Sequence, residues 1–118
     1  KIEWKFRAGG SIFSRAAVTD SIVVFGANDH LVYALQTHDG SMVWSFEAEA
    51  PVNTDPLILS DYLYFGSLDK NLYCLNLKSG TELWRYQLDG KVRTIPSFSD
   101  STLFIGSDSK SIYAFSKN

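Results

Sequence analysis

Few residues of this chain are of a type that could do chemistry, and they are scattered. Asp29 precedes His30, a carboxylate beside an imidazole that could in principle pass a proton. Asp69 repeats that carboxylate forty residues later, and carboxylate oxygens bind calcium where about six to eight oxygens gather. His38 is the other histidine and Cys74 the single cysteine. One carboxylate per separate turn cannot assemble a calcium shell, so Asp29 and Asp69 read as turn caps that hydrogen-bond their own loops. Lys70 and Lys110 hold the place of His30 elsewhere in the chain, which makes it an exposed loop position rather than half of an acid–base pair. Cys74 stands where Ala34 and Ala114 stand, and so reads as a small buried residue. It excludes an internal disulfide and a cysteine-rich zinc site. No Ser-His-Asp spacing, glycine-rich phosphate loop or metal motif occurs. No catalytic, cofactor-binding or metal-ligating set is therefore assigned.

What remains is a group of polar residues: Arg15, Asn53, Asp55 and Arg93. They matter only if the fold brings them together, and that depends on the elements that carry them.

Those elements repeat. Trp4, Trp44 and Trp84 are forty residues apart, as are Gly26, Gly66 and Gly106, and Tyr33, Tyr73 and Tyr113. Gly40 matches Gly80 and Pro56 matches Pro96, with no gap anywhere. A fixed period of this length is the mark of a repeat architecture. The units run over about 1–40, 41–80 and 81–118 of one continuous segment. Each holds four apolar stretches of strand length; in the middle unit they are Val52–Leu59, Tyr62–Ser67, Asn71–Leu77 and Glu82–Leu88. The turns between them are too short for parallel crossovers, so the strands are antiparallel. No stretch has helical periodicity over ten residues. Four short antiparallel strands per unit describe a blade of a β-propeller. The chain is expected to be all-β: three four-stranded antiparallel blades of forty residues.

Within that frame, Gly26, Gly66 and Gly106 end second strands where a positive φ or a close backbone approach is expected. Trp4, Trp44 and Trp84 sit on fourth strands, where they are expected to dock one blade on the next. The first strand of a blade lines the central channel. The positions Phe13/Asn53/Arg93 and Arg15/Asp55/Ile95 vary between otherwise matched units. Arg15, Asn53, Asp55 and Arg93 would thus place mixed charge at the channel mouth, where they could hold a polar small molecule or peptide. The plainer alternative is a set of solvated or mutually paired side chains.

Composition narrows the partners. The chain is 45% hydrophobic and 14% aromatic with a net charge of −2, and acids and bases are interspersed. No basic block tracks a phosphate backbone, so nucleic acid is not an expected partner. No apolar run approaches the roughly 20 residues of a membrane-spanning helix. The absence of an initiating Met before Lys1 fits a processed product or an excerpt of a longer gene.

The run Phe65-Gly66-Ser67-Leu68-Asp69-Lys70-Asn71-Leu72-Tyr73-Cys74-Leu75-Asn76, followed by Ser79-Gly80-Thr81-Glu82-Leu83-Trp84, resembles the pyrroloquinoline-quinone-like (PQQ-like) repeat. The first unit keeps the pattern as Phe25–Asp29, Leu31–Leu35 and Asp39-Gly40, ending at Trp44. The third keeps Gly106-Ser107 and Ile112–Phe115, but Asp108 is displaced by one place and Ser109 holds the aspartate position. The resemblance implies a propeller. For the quinoprotein dehydrogenases of the superfamily it also implies a fuller ring, a vicinal disulfide, a calcium site and a catalytic aspartate. One cysteine and gapless units give no room for these, so neither PQQ nor calcium is expected. Other proteins with the repeat look like scaffolds or sensors, among them an outer-membrane assembly lipoprotein, and on that likeness an extracytoplasmic location is favoured.

The chain begins with an outer strand, Ile2–Phe6, whose own blade is missing. It ends with three strands, about Val92–Ser116, that lack an outer one. Three blades do not close comfortably. Either a second chain completes a six-bladed homodimeric ring, each copy lending its first strand to the other, or further blades of a longer chain do. The reading is a non-catalytic module that binds a protein, peptide or small ligand or supports assembly. The alternatives are a piece of a quinone-dependent dehydrogenase and a sensor region of a larger signalling protein or enzyme.

Overall fold

A computed structural model describes residues 1–116. Eleven strands form three antiparallel sheets. The first contains β1 (Ala17–Val18), β2 (Ile22–Gly26), β3 (Leu31–Gln36) and β4 (Met42–Glu47) in sequence order. The second contains β5 (Leu57–Leu59), β6 (Tyr62–Gly66), β7 (Asn71–Asn76) and β8 (Glu82–Gln87). The third has β9 (Ser97–Ser99), β10 (Thr102–Gly106) and β11 (Ile112–Ser116). Each is a meander of neighbours in sequence, and β1 and β5 converge at the inner side. The blades are those the repeat predicts, arranged as an open arc.

The turns between second and third strands decide between the two alternatives that the sequence leaves open at Gly26 and Gly66. Backbone bonds close a loop from Ser67 to Asn71, with Ser67 N donating to Asn71 O at 3.1 Å and Lys70 N to Ser67 O at 3.2 Å. A type I turn followed by a left-handed residue has this form. The left-handed residues are His30, Lys70 and Lys110, with φ of 77°, 77° and 80°. Gly66 has no positive φ. It is small because a neighbouring blade touches it: a Cβ there would lie 2.1 Å from Val92 Cγ1. Gly26 meets Val52 in the same way.

The inner strands are shorter than expected. Of Val52–Leu59 only Leu57–Leu59 joins the ladder. Pro56 has no amide hydrogen to give, and the residues before it bond elsewhere. Val52 N donates to Ala27 O of the preceding blade at 3.2 Å, and Thr54 Oγ1 donates to Gly66 O of its own blade at 2.9 Å.

Apolar side chains collect between blades. Val24, Val32 and Ala34 on one face of the first sheet pack with Leu63, Phe65, Tyr73 and Leu75 of the second. Tyr64, Leu72 and Cys74 pack in turn with Leu103, Ile105 and Val92. Alternate residues of β6 and β7 thus face opposite neighbours, as the two-residue period of a strand requires. That makes both faces of the middle blade core.

The tryptophans act at these joints. Trp44 is 9% exposed and its Nε1 donates to Leu77 O at 2.7 Å. Its ring lies on Gly80, whose φ is +74° and whose Cβ, if present, would sit 2.5 Å from Trp44 Cδ2. Trp4 repeats the arrangement on Thr37 O at 2.8 Å and on Gly40. Trp84 is 36% exposed and stacks on Phe115 at 6.1 Å. Its matched carbonyl belongs to residue 117, outside the described residues.

Ile2–Phe6 is not a strand. Trp4, Phe6 and Ala8 pack on Phe25, Tyr33 and Leu35 of the first blade, but no ladder forms beside them. A strand needs a hydrogen-bonded neighbour, and the neighbour of an outer strand is the third strand of its own blade.

Candidate channel-mouth site

Each unit has a lock between its second turn and the incoming linker. Asp69 Oδ1 accepts from Asn71 N at 2.9 Å, and Oδ2 accepts from Tyr73 Oη at 2.5 Å and from Glu49 N at 3.0 Å. Asp29 caps Leu31 N at 3.1 Å and accepts from Tyr33 Oη. Both carboxylates are turn caps, and both also tie a buried tyrosine to the chain entering the blade. Burial first, and then the hydrogen bond to Asp69, push the Tyr73 phenol well above its ordinary range. Arg85 covers this tyrosine, its guanidinium 4.8 Å from the ring centroid, and pairs with Glu82 at 2.8 Å and Glu49 at 3.0 Å.

The third unit rebuilds the lock with different residues. Ser109 replaces the aspartate, and the carboxylate comes instead from Asp89 in the linker. Asp89 accepts from Ser107 Oγ at 2.7 Å and Ser111 Oγ at 2.5 Å, while its amide donates to Tyr113 Oη at 2.9 Å. Serine hydroxyls, Ser109 foremost, hold its pKa far below the usual carboxylate value. The exchange was readable in principle, since position 9/49/89 reads Gly9, Glu49, Asp89 beside the lost aspartate.

Asn53, Asp55 and Arg93 line one groove of about 320 Å³, together with Thr54, Thr94 and Ile95. They reach it because Asn53 and Asp55 stand on the segment entering β5 and Arg93 on the matching segment entering β9, one unit later. Arg15 meets the group through its backbone: its amide donates to Asp55 Oδ1 at 2.6 Å. Asn53 Nδ2 donates to Asn28 Oδ1 at 3.4 Å, and its own Oδ1 is enclosed without a hydrogen-bond partner. Arg93 Nε pairs with Asp108 Oδ2 at 3.1 Å, and Asp108 Oδ1 also accepts from Lys91 N at 2.9 Å. The displaced aspartate of the third unit is thus the partner of Arg93, which the sequence reading did not connect.

The carboxylate of Asp29 is directed to Leu31 N and Tyr33 Oη rather than to His30. Cys74 is buried, and burial pushes its thiol up to about 11, away from nucleophilic use. Among the described residues no three His, Cys, Asp or Glu side chains gather as a metal site. With the only cysteine buried inside a strand, a vicinal disulfide cannot be built either.

A family model described as outer membrane protein assembly factor BamB matches residues 1–65 and again residues 56–118. The chain belongs to this PQQ-like repeat family. Its structure is similar to that of BamB from Moraxella catarrhalis, with a TM-score of 0.88 and 19% identity over 98% of this chain. It is also similar to the quinohemoprotein alcohol dehydrogenase ADHIIG from Pseudomonas putida HK5, with a TM-score of 0.87 and 18% identity over 99% of this chain. The chain spans 40% of the first structure and 21% of the second. At these identities the two likenesses establish the propeller fold alone. A sequence search among curated proteins returned no match.

Proposed function

We propose that this propeller segment is a non-catalytic binding module that takes an extended polar segment of a protein partner at the channel mouth. The observation that carries the reading is the groove lined by Asn53, Asp55 and Arg93. It is built from the positions at which otherwise matched units differ, while the positions around them are spent on locks and joints. Arg93 and Asp55 offer opposite charges along its lining. Such a site suits a peptide backbone with its own donors and acceptors. The family's assembly-factor description supports a protein partner and an extracytoplasmic setting. In this reading the segment works without quinone or metal.

The test is selection from a displayed random-peptide library on the purified chain. Peptides that enrich on the wild type should lose binding to the Arg15→Ala/Asp55→Ala/Arg93→Ala variant by more than tenfold, with an unchanged circular dichroism spectrum. Equal binding of the selected peptides to the variant would remove the proposal.

A further inference from the structure

The channel-mouth groove holds two opposite charges that do not pair with each other. Arg93 and Asp55 both line it. Yet Arg93 pairs with Asp108, and among the described residues Asp55 makes no ion pair. Each is fixed by a contact of its own. Arg93 Nε donates to Asp108 Oδ2 at 3.1 Å, and Asp108 is held in turn, its Oδ1 accepting from Lys91 N at 2.9 Å. Asp55 Oδ1 accepts from Arg15 N at 2.6 Å. The Asp55 carboxylate would have to give up that amide to swing toward the guanidinium.

These contacts use only part of each group. A guanidinium carries its N–H donors in a planar fork, and an ionised carboxylate accepts on both oxygens. Among the described residues neither Nη of Arg93 has a hydrogen-bond partner, and Asp55 Oδ2 has none. The groove therefore offers a pair of donors on the segment entering β9 and a single acceptor on the segment entering β5. Its volume of about 320 Å³ lies at the small end of the ~300–1,000 Å³ of ligand pockets. A groove of that size suits a short group rather than a long run of chain.

We propose, on the channel-mouth reading, that the group bound there is the free carboxyl terminus of the partner's segment. The two terminal oxygens take the Nη donors of Arg93 in a charge-assisted, bidentate contact. The amide N–H of the same last residue donates to Asp55 Oδ2. Charge sets this orientation, because a carboxylate is repelled by Asp55 and attracted by Arg93. One terminal residue supplies both partners, since its carboxylate and its amide nitrogen share one Cα. The carboxylate of an Asp or Glu side chain stands one or two methylenes farther from its amide, and its chain needs room on both sides. Capture of a terminal carboxylate is a recurring mode of peptide recognition.

The test selects peptides on the purified chain from two libraries, one displayed with free carboxyl ends and one with those ends fused to the carrier. Enrichment is expected from the first alone. The best binders are then made as free acid and as amide and titrated by fluorescence anisotropy. Amidation should weaken binding to the wild type by about tenfold or more. Arg93→Gln should bind acid and amide alike. Methylating the last amide nitrogen should weaken binding to the wild type but not to Asp55→Asn, which keeps an oxygen for Arg15 N. Peptides that tolerate amidation, yet lose binding to the Arg15→Ala/Asp55→Ala/Arg93→Ala variant, would overturn the terminal carboxylate and leave the channel-mouth reading standing. Enrichment from neither library would overturn both.

Discussion

Three tryptophans stand at one position of the repeat, and the structure gives them unequal work. Trp44 is 9% exposed and donates to Leu77 O, while Trp84 is 36% exposed. An indole that removes roughly 150–250 Å² from water contributes about 4–6 kcal/mol at ~25 cal/mol/Å², an upper bound. Trp44 realises nearly all of this. Trp84 keeps about two-thirds, or roughly 2.5–4 kcal/mol. Trp44→Ala should therefore cost about 1–2 kcal/mol more than Trp84→Ala. Against the ~5–15 kcal/mol that holds a domain folded this is readily measured. Urea unfolding followed by far-ultraviolet circular dichroism reads the difference. With a slope of about 2 kcal/mol/M, the two midpoints should lie roughly 0.5–1 M apart. Equal losses for the two substitutions would refute the argument that burial at a completed joint sets the value of this residue.

Two more measurements follow from the locks and the buried strand. Asp69→Ala removes the acceptor of Asn71 N, Glu49 N and Tyr73 Oη, and should cost about 2–3 kcal/mol in urea unfolding. Ser109→Ala at the matched place should cost less than Asp69→Ala, because it removes one hydroxyl from Asp89 while Ser107 and Ser111 still donate to that carboxylate. Burial raises the Cys74 thiol from 9.0 to about 11 and the Tyr64 phenol from 10.0 to about 12. The folded state holds these protons more tightly than the unfolded one. Their contribution is thus complete below about pH 9 and is lost as pH rises through 11 and 12. Alkaline unfolding should begin within that window, and Cys74→Ala should move its midpoint upward; an unmoved midpoint would separate the thiol from the effect.

Much of the fold was legible because a gapless repeat reports each position three times. The antiparallel sheets and the turn-capping aspartates followed from matched residues. The sequence left open whether Gly66 serves a positive φ or a close approach; the structure shows the close approach, with Val92 against it, and gives the positive φ to Lys70. A valine one unit away leaves no local trace in the sequence around Gly66. Arg15, Asn53, Asp55 and Arg93 could be singled out by their variation, but not sorted. Only the folded chain puts Asp108 against Arg93 and turns Arg15 toward Asp55 through its amide.

The amino-acid sequence determined the period, the strand pattern and the family, since each rests on residue type at fixed spacing. The tertiary structure decided which copies of a repeated residue complete their contacts. Identical tryptophans and glycines differ by whether a neighbouring blade stands beside them, and the residues that supply the neighbour lie one unit away in the chain. Ile2–Phe6 makes the same point. Its pattern is that of an outer strand, but a strand exists only where another strand accepts its hydrogen bonds.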